Sequence, residues 1–245
     1  MLIEIGQVEA IYRYPVKSMA GEQLQAAEVG WHGLNGDRRL ALRRLEDRGG
    51  FPWLSAGRLP DLLLFTPLWR DDGDLPTHVR TPDGRELGIF DEELAAEIQR
   101  RHRAPVQMMH MKHGVFDEAA ISVITSDTVR EIGNLAGRTT DVRQFRPNIL
   151  VRSLRPKIFE EDQWMGGTLL FGDEDDGPAI SVTLCDLRCS MLNLDPDSAR
   201  PAPEILKTVV RENENNAGVY GTVVRSGRLA VGQTIRLQPA ASSTD

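Results

Sequence analysis

Apolar and polar residues alternate along many short stretches of this chain: 6–14, 39–45, 62–66, 106–111, 149–152, 168–171, 180–184, 219–224 and 234–237. That is the period of a strand with one covered face. A shorter stretch, 78–80, runs into the turn residues Pro82, Asp83 and Gly84, and 121–125 opens a further β-branched run. Three segments carry helical spacing instead. Residues 91–101 place Leu94, Ala95 and Ile98 on one face, with acidic residues first and basic residues last, which suits the helix dipole. Residues 126–136 start at Ser126 as a candidate N-cap, carry Val129, Ile132 and Leu135, and stop at Gly137. Residues 203–212 begin with Pro203, which a first turn tolerates. Many short strands with few helices predict a β-rich α+β fold with barrel-like sheets, not an alternating βαβ fold.

A chain of 245 residues has room for two packed domains. A boundary near Gly114 divides it into 1–113 and 114–238, followed by a short, small and polar tail, 239–245. Hydrophobic residues at 40% and charged residues at 27% are ordinary for a globular protein. The net charge of −7 excludes a protein devoted to neutralising nucleic-acid phosphates, while leaving room for a local basic pocket. No apolar run approaches the roughly 20 residues of a membrane span, and the opening MLIEIGQVEA has no secretory character. A cytoplasmic protein without membrane partners is expected. The two cysteines, Cys185 and Cys189, stand too close in sequence for a useful staple and too few for a thiolate cage.

Four segments carry candidate chemistry. Tyr14–Gly21 leaves a strand at Pro15 and sets Lys17 beside Ser18, so that a cation, a hydroxyl and backbone N–H groups line a corner suited to phosphate. On spacing alone, a solvated loop lysine beside a turn serine is the plainer reading. Asp37-Arg38-Arg39 feeds a strand in which the two arginines face opposite sides, and a surface ion pair of Arg38 with Asp37 is the plainer role. Arg146 and Asn148 stand at the mouth of the strand 149–152, where a guanidinium can take an anion and the amide can orient it. The competing reading is a buried arginine bonded to loop carbonyls. Cys189 follows Arg188, which makes it a candidate soft metal ligand, against the alternative of an inert core thiol. His110 and His113 read as core or edge residues of a Met-rich strand, and residues 173–176 as an acidic hairpin loop that does not match a calcium-loop pattern.

Taken in order, these segments resemble the MOSC family, named for the C-terminal domain of molybdenum cofactor sulfurase, in the branch of the amidoxime-reducing and hydroxylaminopurine-detoxifying proteins. The match runs through YPVKS at Tyr14–Ser18, GDR at Gly36–Arg38, FRPNI at Phe145–Ile149, EDxW at Glu161–Trp164, RC at Arg188–Cys189 with DPD at Asp195–Asp197, and GxYxxxxxxG at Gly218–Gly227. The resemblance implies an N-terminal β-barrel-like domain packed on a MOSC β-barrel domain, with a molybdenum-pterin cofactor (Mo-molybdopterin) between them. It implies Cys189 as metal ligand and catalytic residue. Lys17, Ser18 and Arg38 would hold the cofactor's phosphate, and Arg146, Asn148 and Tyr220 would line the pterin or metal side. Asp117, in a segment that only partly follows the family pattern, would join the cofactor site. The implied activity is reduction of small N-hydroxylated compounds. Electrons would come from separate ferredoxin-like or cytochrome proteins with a flavin reductase, since no ferredoxin segment follows. The alternative is a sulfur carrier or cofactor-handling module with a Cys189 persulfide. The chain departs from the family pattern at Val231-Gly232-Gln233, where VGD is usual, and around 55–58, where basic residues are only partly present.

Overall fold

The computed structural model describes residues 1–172 and 177–240; the expected acidic loop 173–176 and the end of the tail lie outside the described residues. In chain order the strands are β1 (Ile3–Arg13), β2 (Glu22–Leu24), β3 (Ala26–Gly30), β4 (Gly33–Leu34), β5 (Leu40–Arg44), β6 (Thr66–Leu68), β7 (His78–Arg80), β8 (Glu86–Gly88), β9 (Val106–His110), β10 (Ile121–Thr125), β11 (Ile149–Ser153), β12 (Thr168–Phe171), β13 (Ala179–Leu187), β14 (Asn216–Arg225), β15 (Gly227–Ala230) and β16 (Thr234–Gln238). The helices are α1 (Glu92–His102), α2 (Ser126–Ala136), α3 (Val142–Phe145) and α4 (Glu204–Asn213).

Seven strands close into a barrel in the order β1, β11, β10, β14, β13, β12, β16 and back to β1. Closure removes the exposed edges that an open sheet would leave. The alternation seen in the sequence explains the interior: Ile121 and Val123, Ile149 and Val151, Leu169 and Phe171, Ile180 and Val182, and Ile235 and Leu237 all point into one core with Trp164. The outer face of β1, β10 and β11 is also covered, because Tyr12, Ile124 and Leu150 pack against Val129 and Ile132 of α2 and Ile205 and Val209 of α4. Covering on both faces is why β10 reads ISVIT, apolar almost without a break. β1 comes from the start of the chain yet pairs with β11 and β16, so the first strand belongs to a barrel built otherwise from residues 121–238.

A second core fills the N-terminal part. Val16, Leu40, Leu42, Leu54, Leu62, Phe65, Leu94, Ile98 and Met108 pack together beneath the β5–β9 pair, the small β6–β7–β8 sheet and α1. The fold is the β-rich α+β arrangement that the pattern implied.

The structure corrects some local readings. Residues 62–66 do not form a strand: Pro60–Leu64 is a turn of 3-10 helix that buries Leu62 and Leu63, and β6 begins at Thr66. The cap of α2 is Thr125, whose side chain accepts Thr128 N–H, and Leu135 on that helix is 48% exposed. β2, β4, β8 and α3 are too short for periodicity to mark, and β3 (AAEVG) and β15 (GRLA) lack a clear apolar alternation, although α3 carries a capping box formed by Asp141 and Gln144.

A buried carboxyl closes the base of α2. The hydroxyls of Thr125 and Thr128 each donate to Glu161 Oε2 at 2.9 Å, while Oε1 has no partner among the described residues. Burial raises this group from 4.5 to about 7, against the pull of the two hydroxyls. The folded chain therefore keeps a proton that the unfolded chain releases, and stability falls as pH rises between those two values. Glu161→Gln, which keeps the accepting oxygen, should match the parent in acid and exceed it by about 1–3 kcal/mol above neutral pH. Melting temperature against pH for both proteins checks this, and parallel curves would contradict it.

Candidate functional site

Between the barrel and the N-terminal core lies a cleft of about 530 Å³, within the usual size range of small-molecule sites. Lys17, Ser18, Arg38, Asp117, Arg146, Cys189 and Tyr220 all line it. They arrive from segments far apart in sequence, and the end of β1, the loop before β5, the loop after α3 and the end of β13 converge to bring them together.

The anchor is Asp37, whose side chain has 0% exposure. It accepts Tyr14 N–H at 2.7 Å and Asn148 Nδ2–H at 3.0 Å and pairs with Arg38. The expected ion pair of Arg38 and Asp37 therefore exists, but buried and not on the surface. Asn148 is not on the cleft wall. It stands behind it, bridging Asp37, the Tyr12 carbonyl and Ser122 N–H. Arg38 also donates to the Arg146 carbonyl at 3.1 Å. Burial opposes its charge, but Asp37 outweighs this and raises its pKa further. Arg39, by contrast, turns away and donates to Met111 O.

Arg146 stacks 4.1 Å from the centre of the Tyr14 ring and donates to Met19 O at 2.9 Å. Burial, with the added repulsion of Arg38, lowers it to about 10, so it stays charged near neutrality. Both readings of this arginine thus hold: it bonds a loop carbonyl and it faces the cleft. Lys17 is 5% exposed, so the solvated-loop reading fails. Its Nζ donates to Asp117 at 2.6 Å and lies 5.4 Å from the Phe51 ring centre. Burial lowers its pKa, and Asp117 restores only part of the loss while Arg38 and Arg146 push the same way as burial. Close like charges in a desolvated wall are what an anion would relieve.

Ser18, Arg38 and Arg146 all adopt positive φ, at 67°, 50° and 52°. Non-glycine residues are strained in this region, and such strain concentrates at functional sites. The expected backbone lining is only partly present: Lys17, Met19 and Ala20 donate their N–H groups to Leu40 O, Val16 O and Phe65 O. The Ser18 hydroxyl rests on the Met191 sulfur at 3.9 Å, a weak acceptor that a ligand can replace.

Cys189, which also lines the cleft, is exposed and unpaired, which removes the inert-core reading. Arg188 does not present its charge to solvent: Nε donates to Ala217 O at 2.6 Å and Nη1 to Phe145 O at 2.7 Å. Gly218, at φ +87°, leaves room for that guanidinium, since a Cβ there would meet Arg188 at 2.9 Å. Ser55, Gly57 and Arg58 complete the rim. His110 ends β9 exposed, and His113 packs its ring 4.2 Å from that of His32. No group of three or more His, Cys, Asp or Glu is placed to hold a metal ion among the described residues.

The MOSC-domain profile matches residues 99–236, and that of the MOSC N-terminal β-barrel domain matches residues 5–131. The chain belongs to the MOSC family. The boundary expected near Gly114 falls inside the stretch that both matches share. Among solved structures, the YuaD protein of Bacillus subtilis aligns at a TM-score of 0.54 with 14% identity, over 98% of this chain and 99% of that one. The YiiM protein of Geobacillus stearothermophilus aligns at 0.39 with 18% identity, over 51% and 56%, and that of Escherichia coli at 0.35 with 17% identity over the same shares. At 14% identity the YuaD likeness concerns the fold alone. No curated protein matches the sequence significantly.

Sequence reasoning passed over Asp186. In this MOSC protein it lines the cleft with a side chain only 3% exposed, accepting the Ser122 hydroxyl at 2.9 Å. The available signal was an acidic residue next to the end of a strand that carries no other charge. A larger depression, about 670 Å³, lies behind Tyr14, but its one arginine, Arg143, is already paired with Asp141 and Asp197.

The anchor makes a direct prediction. Asp37→Ala strips the Tyr14 N–H and Arg38 of their acceptor and should cost about 3 kcal/mol in urea denaturation. A loss below about 0.5 kcal/mol, the level of an exposed pair, would contradict the anchoring role.

Proposed function

We propose that this MOSC protein binds a molybdenum-pterin cofactor in the cleft and uses it to reduce small N-hydroxylated compounds. The observation that carries the reading is the pairing, within one cleft, of a cationic end made by Lys17, Arg38 and Arg146 with a single exposed thiol, Cys189. The donor set fits such a group. With no group of three or more His, Cys, Asp or Glu placed to hold a metal among the described residues, one thiolate cannot cage a bare ion, but it can complete the shell of a metal that brings other ligands with it. The buried cations suit a phosphate, with Ser18 and Tyr220 as hydroxyl donors along the walls. Asp117 would balance Lys17 until the anion arrives.

When bound, the cofactor supplies the two-electron exchange that no residue of the chain can perform. The chain's part is to bind, orient and exclude water. Electrons would come from separate ferredoxin-like or cytochrome proteins with a flavin reductase, and the setting we propose is the cytoplasm. No helix among the described residues is long and apolar enough to cross a membrane.

Protein made in a cofactor-competent host should carry molybdenum and pterin in near-equal amounts by elemental mass spectrometry and fluorescence. Cys189→Ala should lose the metal while matching the melting temperature of the cofactor-free parent, because an exposed thiol packs against little. Lys17→Ala should weaken pterin retention by about tenfold, the contribution of one charge-assisted contact. Parent protein without either component, together with a persulfide on Cys189 after exposure to a cysteine desulfurase, would replace this reading with that of a sulfur carrier.

A further inference from the structure

Reduction of an N-hydroxylated compound consumes protons as well as electrons: one hydroxylamine group, two electrons and two protons give one amine group and one water. The N–O bond breaks, an N–H bond forms, and the oxygen leaves protonated. The electrons come from the separate donor protein. The protons must pass through a group on the cleft wall that can give one up and regain it near neutral pH.

Few of the groups facing the cleft satisfy that condition. Arg38 is held further charged by Asp37, and Arg146 releases its proton only at about 10. Tyr220 is pushed above its ordinary value by burial and by Asp186. Asp117 has lost its proton: burial opposes the ionised form, but Lys17 beside it outweighs this and keeps the carboxylate below its usual range.

Asp186 differs in geometry. It is buried at the end of β13, and its Oδ2 takes both the Ser122 hydroxyl and the approach of Arg188 Nη2 at 2.9 Å. That approach is not a hydrogen bond. The two carbonyls of Ala217 and Phe145 fix the guanidinium plane, and Nη2 is left without a hydrogen-bond partner among the described residues. The carboxyl is therefore near a cation that cannot fully satisfy it. The charged groups that reach it are Arg188 from its own segment, Arg38 from the loop before β5 and Asp117 from the loop before β10, with Tyr220 opposite on β14. Burial prevails over Arg188 and Ser122 and raises it from 3.8 to about 6.

Resting on the reductase reading, we propose that Asp186 is the acid of the cleft: its carboxyl gives a proton to the oxygen leaving the N–O bond and is refilled from solvent for the second. Ser122 and Arg188 are positioning residues that set how readily it does so. The Ser122 hydroxyl favours the ionised form, so its removal should make the proton harder to lose.

The experiment compares cofactor-loaded parent, Asp186→Asn and Ser122→Ala in kcat/KM against pH for one N-hydroxylated substrate, alongside an infrared titration of the carboxyl band in the same proteins. The parent should lose kcat/KM as pH rises past about 6. Asp186→Asn should lose that limb and fall about 100-fold or more, with the carboxyl band gone. Ser122→Ala should shift both limb and band to higher pH. Should Asp186→Asn fail to fold, the joint shift in Ser122→Ala supports the assignment, and an unmoved limb and band overturn it. An Asp186→Asn protein that reduces substrate with the parent's pH profile also overturns it and leaves the reductase reading standing. A loaded parent that reduces no N-hydroxylated compound overturns the reductase reading itself, and the acid role with it.

Discussion

Asp37 takes the Tyr14 N–H, the Asn148 amide and the Arg38 guanidinium at once, with no side-chain exposure. Each partner belongs to a different part of the chain: the exit of β1, the loop before β5 and the entry to β11. Removing that carboxylate would leave the Tyr14 N–H buried without an acceptor and the Arg38 guanidinium without its counter-charge, an unsatisfied buried donor alone costing on the order of 1–3 kcal/mol. The arrangement therefore has little freedom to move. Tyr14 is fixed by it, and Arg146 then lies on the Tyr14 ring while Arg38 reaches back to the Arg146 carbonyl. The position of the cationic end follows from one buried acid.

The same constraint explains why the cleft walls are strained and not relaxed. Ser18, Arg38 and Arg146 hold left-handed backbone, which glycine adopts more readily. Each stands where the chain must turn sharply and still offer a side chain to the cleft, a combination that glycine cannot supply. Lys17 is buried by its neighbours and tethered by Asp117, whose own side chain is 61% exposed. The cation is thus held by a counter-charge that itself stays open to solvent.

The barrel was legible because its interior obeys a strict alternation, as in Leu169 and Phe171 or Ile235 and Leu237. The run Leu62–Phe65 was not. Apolar side chains in succession suit a buried strand or a helical turn equally, and Pro60 at the start decides for the turn. Leu184 continues an apolar run yet is 42% exposed, because the β13–β14 register shifts between Val182 and Leu184 and turns it outward. Of the site, Lys17, Arg38, Arg146 and Tyr220 were visible through the resemblance, while Asn148 proved to brace the wall from behind. Asp186 was not legible, because a carboxyl three positions before the thiol has no meaning until β13 is seen to end at the cleft.

In the proposed function, Cys189 joins the chain to a molybdenum centre whose remaining ligands the chain does not provide. Molybdenum K-edge X-ray absorption of the purified protein tests this at the atom concerned, compared with Cys189→Ser. The parent should show a molybdenum–sulfur shell that loses one scatterer in the variant, with the pterin sulfurs unchanged. An identical sulfur shell in both proteins would contradict it.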